Sequence, residues 1–440
     1  MPLLKKGSGD GDLHGVLSDA ATVAVIQGLG LAVGYVAQLL FARWLGRFEY
    51  GLYSFSWSAL VLVATLAGFG YPLLGVRETS AAMASGQNGR VLGFVRFSAR
   101  RVGIVALLAT VVSVVALLIA GNDVAEDYRL PLLYAASSIV PLALIILFGE
   151  LARGMGRPAL AYAPRVLMVP LGVVLLTIAL RAAGVVLTAS RLVLLLAGVT
   201  LLIALAQGWR IRICAREVAD GAPPQSDAVA WRQAARPMYL GVLFGTTMNQ
   251  FDSVLIGVLS SPDAVAVYFV AKRTALLVAT FLTAMNAMVA PRISRIYQTG
   301  TRDELQQMIR RVLPFVLIPG TAAVLVLAAG HAPLLRFLGS DYAGAKWPLL
   351  MLLGSYFVNV AVGPSAFLLT MTGHQWVHAR IMGLSAATMV LGMLALVPTW
   401  GAVAAAGVFA VVTVMWNVAT WLTAWRITGI DTSFVCLLRR

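Results

Sequence analysis

Hydrophobic residues along this chain come in long continuous blocks, separated by short stretches that carry arginine, glycine or proline. Twelve blocks fall near residues 18–42, 51–75, 98–120, 130–149, 159–181, 184–208, 238–259, 264–289, 312–330, 347–370, 375–397 and 401–425. Each is about 20 residues or longer, the length at which a helix rising about 1.5 Å per residue crosses a hydrocarbon core about 30 Å thick. Runs this long and this uniformly apolar predict helices, because a membrane barrel alternates apolar and polar residues over segments of about ten. The pattern predicts an all-α polytopic membrane protein with about 12 transmembrane helices.

Composition agrees. Of the 440 residues 60% are hydrophobic and 12% charged, where soluble domains carry about 25% charged residues, and the mean hydropathy is +0.87. A soluble fold is excluded. The first block is too long for a signal-peptide core and no cleavage pattern follows it, so it is expected to remain as a span.

The net charge of +15 would suggest nucleic acid in a soluble protein, but here it reads as topology. With the N-terminus placed inside, 24 of the 33 Lys and Arg residues fall in inner segments, among them Lys5, Lys6, Arg100, Arg101, Arg439 and Arg440. Six fall outside: Arg43, Arg47, Arg129, Arg181, Arg336 and Lys346. Positive loops stay cytoplasmic, so both termini are expected in the cytoplasm and no nucleic-acid partner is expected. The longest polar interruption, 209–237, separates two sets of six spans. The expected organisation is a cytoplasmic segment 1–17, an N-lobe 18–208, a cytoplasmic linker 209–237, a C-lobe 238–426 and a cytoplasmic tail 427–440.

An internal repeat supports two halves. Leu45-Gly46-Arg47-Phe48-Glu49-Tyr50-Gly51-Leu52-Tyr53 answers, with one inserted residue, to Leu259 through Tyr268, an offset of 215 residues between Tyr53 and Tyr268. An even number of spans per half makes the repeats parallel and pseudo-symmetric, a plan used by transporters that rock two bundles about a central site. A second polar stretch, Arg292 to Arg311, contains Thr301-Arg302-Asp303-Glu304, a capping-box pattern that opens an amphipathic helix expected on the inner membrane surface.

Several runs resemble a known family. Phe41-Ala42-Arg43-Trp44-Leu45-Gly46-Arg47-Phe48-Glu49-Tyr50-Gly51-Leu52-Tyr53-Ser54-Phe55 is similar to the first outer loop of polysaccharide flippases, a Wzx-like branch of the multidrug/oligosaccharidyl-lipid/polysaccharide (MOP) transporter superfamily. Asn249-Gln250-Phe251-Asp252, the Pro262–Tyr268 segment with its following basic pair, and Phe337-Leu338-Gly339-Ser340-Asp341-Tyr342 resemble later landmarks of that family. The first loop departs from the family pattern at Arg47, where proline is usual, which puts its turn in question. The resemblance implies a V-shaped pair of six-helix lobes in the bacterial inner membrane. It implies no enzymatic activity and no cofactor. The implied cargo is an undecaprenyl-pyrophosphate-linked oligosaccharide, carried from cytoplasmic to periplasmic leaflet for surface polysaccharide such as O-antigen. Its implied partners are that lipid-linked oligosaccharide, membrane lipid, a polysaccharide polymerase and a chain-length regulator.

Ionisable groups within spans are costly, by about 2.5–3.5 kcal/mol on insertion scales, and few occur here. Asp252 and Lys272 fall at matching depths on adjacent antiparallel spans, so Asp252 is expected to pair with Lys272 or Arg273. Neighbouring helix residues point about 100° apart, which leaves the other cation for a cavity. The pair reads either as a fastening of the hairpin or as part of cargo handling or ion coupling. Arg191, set about as deep in span six, and Arg165, one to two turns into span five, are the other candidate cargo cations, or else they snorkel to the interface. Arginine suits a diphosphate because its fork bonds two oxygens at once.

Asp252 is the only carboxylate placed deep in a span, Glu49, Glu78, Glu150 and Asp263 falling at ends or in loops. That sign favours anionic cargo over the two alternatives, a multidrug or small-solute antiporter and a polyprenyl-dependent glycosyltransferase or ligase. His374 and His378 have helical spacing but no acidic or thiol partner nearby, and Cys214 and Cys436 lie far apart, so neither a metal site nor a disulfide is expected. Trp57, Tyr239, Tyr268, Trp416, Trp421 and Trp425 could stack on sugars or form interfacial belts. Pro72, Pro141, Pro170, Pro314, Pro319 and Pro364 are expected to kink their helices.

Overall fold

The computed structural model describes residues 9–120 and 125–438, which are helical with no strand among them. Lys5, Lys6, Arg439 and Arg440 lie outside the described residues, as do the side chains of Arg292 and Arg295. Among the described residues eight helices are long and apolar enough to cross a membrane, and two further pairs reach that length together across bends of 41° and 45°. Two of the eight are double. Gly9–Ala67 is interrupted only at Gly46 (φ 76°, ψ 175°), and Gln375–Thr428 only at Gly401 (φ 53°, ψ −130°). Counting the halves separately gives twelve segments, one for each hydrophobic block.

The two glycines explain why the polar loops expected at these places nearly vanish. Each adopts a positive φ that a side chain would oppose, so a single residue breaks the helix and helix continues on both sides. Proline adjoins some of the other breaks, whereas Pro319, also expected to kink its helix, lies inside Pro314–Ala329 with no break. The 41° bend falls at Ser138, between Pro131 and Pro141, and the 45° bend spans Gly363-Pro364. Two helices contain π turns, Pro164–Met168 and Thr247–Phe251. The first opens on a proline, which has no N–H to give to the α-helical ladder.

The chain forms two compact units whose boundaries cut through helices. One comprises the residues up to Gln38 with Ala59–Leu243; the other comprises Leu39–Ser58 with the residues from Phe244 onward. In the first unit, the polar segment between the sixth and seventh spans is fastened down. The Gln225 amide donates to the Gly89 carbonyl at 3.0 Å. Trp231 is buried and its indole N–H donates to Glu78 Oε2 at 3.2 Å. Arg90 bridges Glu78 and Asp227, at 3.2 and 3.3 Å, while lying over the Trp231 ring. Phe94 and Phe97 close around the same indole.

In the second unit, Leu39–Ser58 is seated by close backbone approach and by polar contacts. Gly51 lies so near the Pro262 carbonyl that a Cβ there would come within 1.9 Å of the oxygen. Arg47, in the position where proline is usual, ties the Gly46 turn down: its Nε meets Asp263 Oδ1 at 2.7 Å and its Nη1 donates to the Asp341 carbonyl at 3.1 Å. Tyr342 adds a hydroxyl bond to the Ala42 carbonyl at 3.2 Å.

The capping box at Thr301 forms, with Glu304 reciprocating, and opens the helix Arg302–Val312. That helix is held through Gln306, whose amide group donates to the Asp431 carbonyl and accepts from the Asp431 amide, both at 2.8 Å. The segment beyond the last span is therefore docked, with Thr432 bonded to the Val362 carbonyl and Phe434 to that of Ala361.

Close approach at Gly93 gives a test of this packing. A Cβ at Gly93 would stand 1.7 Å from the Gln225 carbonyl oxygen, whereas one at Gly103, in the same helix, meets nothing within 4 Å. Gly93→Ala is expected to lower stability by about 1–3 kcal/mol, as overpacking does, and Gly103→Ala to be neutral or slightly stabilising. Thermal unfolding of the two purified variants in detergent reads the difference.

Candidate functional site

The helix Asp252–Leu259 follows the Thr247–Phe251 π turn, and the helix Pro262–Thr299 returns beside it after Ser260-Ser261. Ser261 caps the returning helix by accepting from the Ala264 amide. Asp252 lies seven residues before the hairpin and Lys272 ten residues after Pro262, about 10 and 15 Å along their helices. Side chains lean toward the N-terminus of their own helix. On this antiparallel pair that tilt moves Asp252 deeper and Lys272 shallower, and the two meet.

The meeting is fully buried on the acid side. Asp252 is 0% exposed and Lys272 8%. Lys272 Nζ contacts Asp252 Oδ2 directly and donates to the Asn249 carbonyl at 2.7 Å. Tyr268, one turn before Lys272, donates its hydroxyl to the same carboxylate oxygen at 2.5 Å. The other oxygen accepts from the Ser253 amide at 2.7 Å and its hydroxyl at 3.3 Å. The π turn loosens the α-helical ladder just where the Asn249 carbonyl turns to the ammonium. Lys272 also lies 5.0 Å from the Phe409 ring centroid, a cation–π contact in a dry setting. Asp252 thus has four donor contacts on two oxygens, and Lys272 is held by an anion, a carbonyl and an aromatic face.

Arg273 points elsewhere. Its guanidinium stacks over Phe269 at 4.8 Å, with Tyr50, Tyr53, Tyr356 and, more weakly, Asp252 as its electrostatic neighbours. No carboxylate lies in salt-bridge range of it among the described residues. It lines a cavity of about 60 Å³ with Asn249, Gln250, Ser253 and Lys272. Of the two cations next to Asp252, Lys272 takes the acid and Arg273 lines the small cavity beside it.

Arg165 and Arg191 do not join this group. Both belong to the first unit. Arg165 rides the Pro164–Met168 π turn, exposed, and shares a small cavity with Glu150 and Arg153. The sixth span starts at Ala189, capped by Thr188, so Arg191 sits in its first turn rather than two turns down. Its guanidinium turns back onto the Val186 carbonyl.

The sequence reading missed the Tyr268 hydroxyl as an Asp252 ligand, although its spacing of four from Lys272 places both on one helix face. Of the other aromatic candidates, Tyr239 stacks on Phe69 and Trp421 on Trp425. His374 lies 3.1 Å from the Thr372 hydroxyl, and no cluster of three His, Cys, Asp or Glu side chains occurs among the described residues. Cys436, beyond the last span, is a buried free thiol that burial and Asp431 push up to about 11.

A family model described as polysaccharide biosynthesis protein matches residues 16–297, well over half of the chain. The chain belongs to that family. A search of curated proteins finds no match in sequence. Among solved structures, this family member is similar to an inward-facing multidrug resistance MATE family transporter of the MOP superfamily, with a TM-score of 0.70, 12% identity, and 92% of this chain and 98% of that one covered. It is similar to the lipid II flippase MurJ, with a TM-score of 0.69, 12% identity, and coverage of 91% and 87%. A MOP superfamily transporter from Pyrococcus furiosus, described as having a binding pocket of reverse polarity, gives 0.61, 12%, and 93% and 95%. At such identities the likeness establishes the fold, which is that of MOP superfamily transporters.

The satisfied carboxylate yields a stability prediction. Asp252→Asn leaves Lys272 buried without its counter-ion and should cost about 3–5 kcal/mol, the range for breaking a buried pair, whereas Asp252→Asn with Lys272→Gln should recover most of it. Unfolding midpoints of the four proteins of this double-mutant cycle measure the coupling, and additive losses would refute it.

Proposed function

We propose that this protein flips an undecaprenyl-pyrophosphate-linked oligosaccharide across the bacterial inner membrane for the synthesis of a surface polysaccharide, O-antigen being one such product. In this reading both termini are cytoplasmic and no catalytic residue takes part. The family points to polysaccharide synthesis, and the fold is shared with a lipid II flippase and a multidrug transporter alike. The sign of the buried charge supports the flippase reading.

The observation that carries the reading is that Asp252 is neutralised by Lys272, Tyr268 and Ser253 while Arg273 faces a cavity with no acid in salt-bridge range. A cation antiporter needs a buried carboxylate that is free to exchange its partner, and this one is not. A diphosphate needs a donor fork in a site poor in water, where charge-assisted bonds are strongest. Arg273 supplies one. The polyprenyl tail remains in lipid while the head group crosses, because the charged head is the part that hydrocarbon rejects. A polymerase and a chain-length regulator would act on the delivered product.

The test is complementation of surface polysaccharide in a strain lacking its own flippase, scored together with membrane abundance. Arg273→Gln should abolish polysaccharide at near-normal abundance, and Arg273→Lys should restore part of it. A fully active Lys272→Gln/Arg273→Gln protein would remove this site from the mechanism. Topology is checked in parallel: a reporter after Gly221 should read cytoplasmic and one after Ser261 periplasmic.

A further inference from the structure

The first unit holds a second group of one acid and two cations, and it differs from the first in how loosely it is held. Glu150 and Arg153 lie one turn apart on the helix Ile139–Gly154, with Arg153 Nη2 at 2.6 Å from Glu150 Oε2. That oxygen is enclosed by protein yet makes no hydrogen bond of acceptable geometry. The charge contact alone holds it, an unusual state for a buried acceptor. Arg165 faces the same carboxylate from the π turn, across a cavity of about 30 Å³ that Tyr162 also lines. Arg165 has no acid in salt-bridge range among the described residues. The side chains of Glu150 and Arg153 are 29% and 40% exposed, so the pair can open without leaving a charge stranded in a dry core.

These features suit an anion that comes and goes. The cavity holds about one water and is too small for a phosphate while Glu150 is in place. When Glu150 swings outward, two guanidinium forks converge on the space it leaves. A diphosphate brings more negative charge than the carboxylate and more acceptor oxygens for the forks to bond.

We propose that Arg153 and Arg165 form a phosphate-binding site for the diphosphate head group of a polyprenyl-linked substrate, and that Glu150 is a resident anion which the head group displaces. This inference rests on the pyrophosphate-linked cargo proposed above and gives its head group a second site, in the first unit, in addition to the Arg273 site of the second.

The experiment is direct binding to the purified full chain in detergent, with farnesyl diphosphate and inorganic pyrophosphate as probes and farnesol as the uncharged control. Glu150→Gln removes the internal competitor and should tighten farnesyl diphosphate binding about fivefold or more. Arg153→Gln and Arg165→Gln should each weaken it about tenfold, the scale of one charge-assisted contact. Farnesol should not respond to any of the three.

Equal affinity of Glu150→Gln and wild type would overturn the displacement. Unchanged binding by Arg165→Gln, an exposed position where folding is not at stake, would overturn the site whatever the yield of the Glu150 variant. Tighter binding of inorganic pyrophosphate than of farnesyl diphosphate would assign the site to free phosphate and overturn the head-group assignment. The expected affinity ranking without any polysaccharide complementation by the wild type would refute the proposed function and leave the site. Complementation by all three variants at wild-type level would refute the site and leave the function.

Discussion

A carboxylate placed seven residues inside a membrane hairpin constrains everything around it. Left alone, Asp252 would be too costly to bury, and the second unit answers with Lys272, Tyr268 and Ser253 on its two oxygens. Each ligand fixes something else. Tyr268 and Lys272 share a face, so holding both sets the rotation of the returning helix. The Asn249 carbonyl can reach the ammonium because the π turn frees the ladder there. Since Lys272 is committed, Arg273, about 100° further round the helix, must point away from the acid and toward the cavity. The exposed chemistry of the site is therefore a by-product of neutralising the acid.

Backbone proximity plays the matching role where there is no charge. Gly51 against Pro262 and Gly257 against the Phe55 ring bring two helix pairs closer than any side chain would allow. In a membrane, where lipid tails are as apolar as leucine, close packing of small residues substitutes for the hydrophobic effect as the force between helices. The Gly46 turn then needs a tether rather than a loop, and Arg47 gives one through Asp263 and the Asp341 carbonyl. An arginine can do the work usual for proline at this place because glycine makes the turn and a charge pair holds it.

Much of this was legible in the sequence, and the failures share a cause. Hydrophobic blocks of spanning length predict twelve segments, which the described helices match once Gly46 and Gly401 are taken as breaks, and the Thr301 capping box forms as its pattern predicts, because both signals are local. The sequence leaves the choice between Lys272 and Arg273 open, since it depends on helix rotation about a hairpin whose register the sequence does not print. Arg191 reads as deeper than it lies because the apolar block begins at 184 while the helix begins at 189; Thr188, an N-cap residue, carries the missing signal. Glu150 reads as lying at a span end, yet its helix runs on to Gly154 and brings it to a cavity that Arg165 also lines. The two π turns are set by packing as much as by sequence, and only Pro164 hinted at one of them.

Both π turns of the described residues adjoin a group of one acid and two cations, one in each unit. The composition is the same, so burial must decide what each does. Where the acid is fully enclosed and every lone pair is taken, separating the charges means leaving one of them in a dry interior, and the pair behaves as a fixed joint. Where the pair is a third exposed, water screens the charges and stands ready to replace either partner, so the same contact is weak and exchangeable. The Asp252 group is of the first kind and the Glu150 group of the second. On the proposed function, a protein that must release what it binds would use both: a joint that keeps its helices in register, and an ionic contact loose enough for an anion to break.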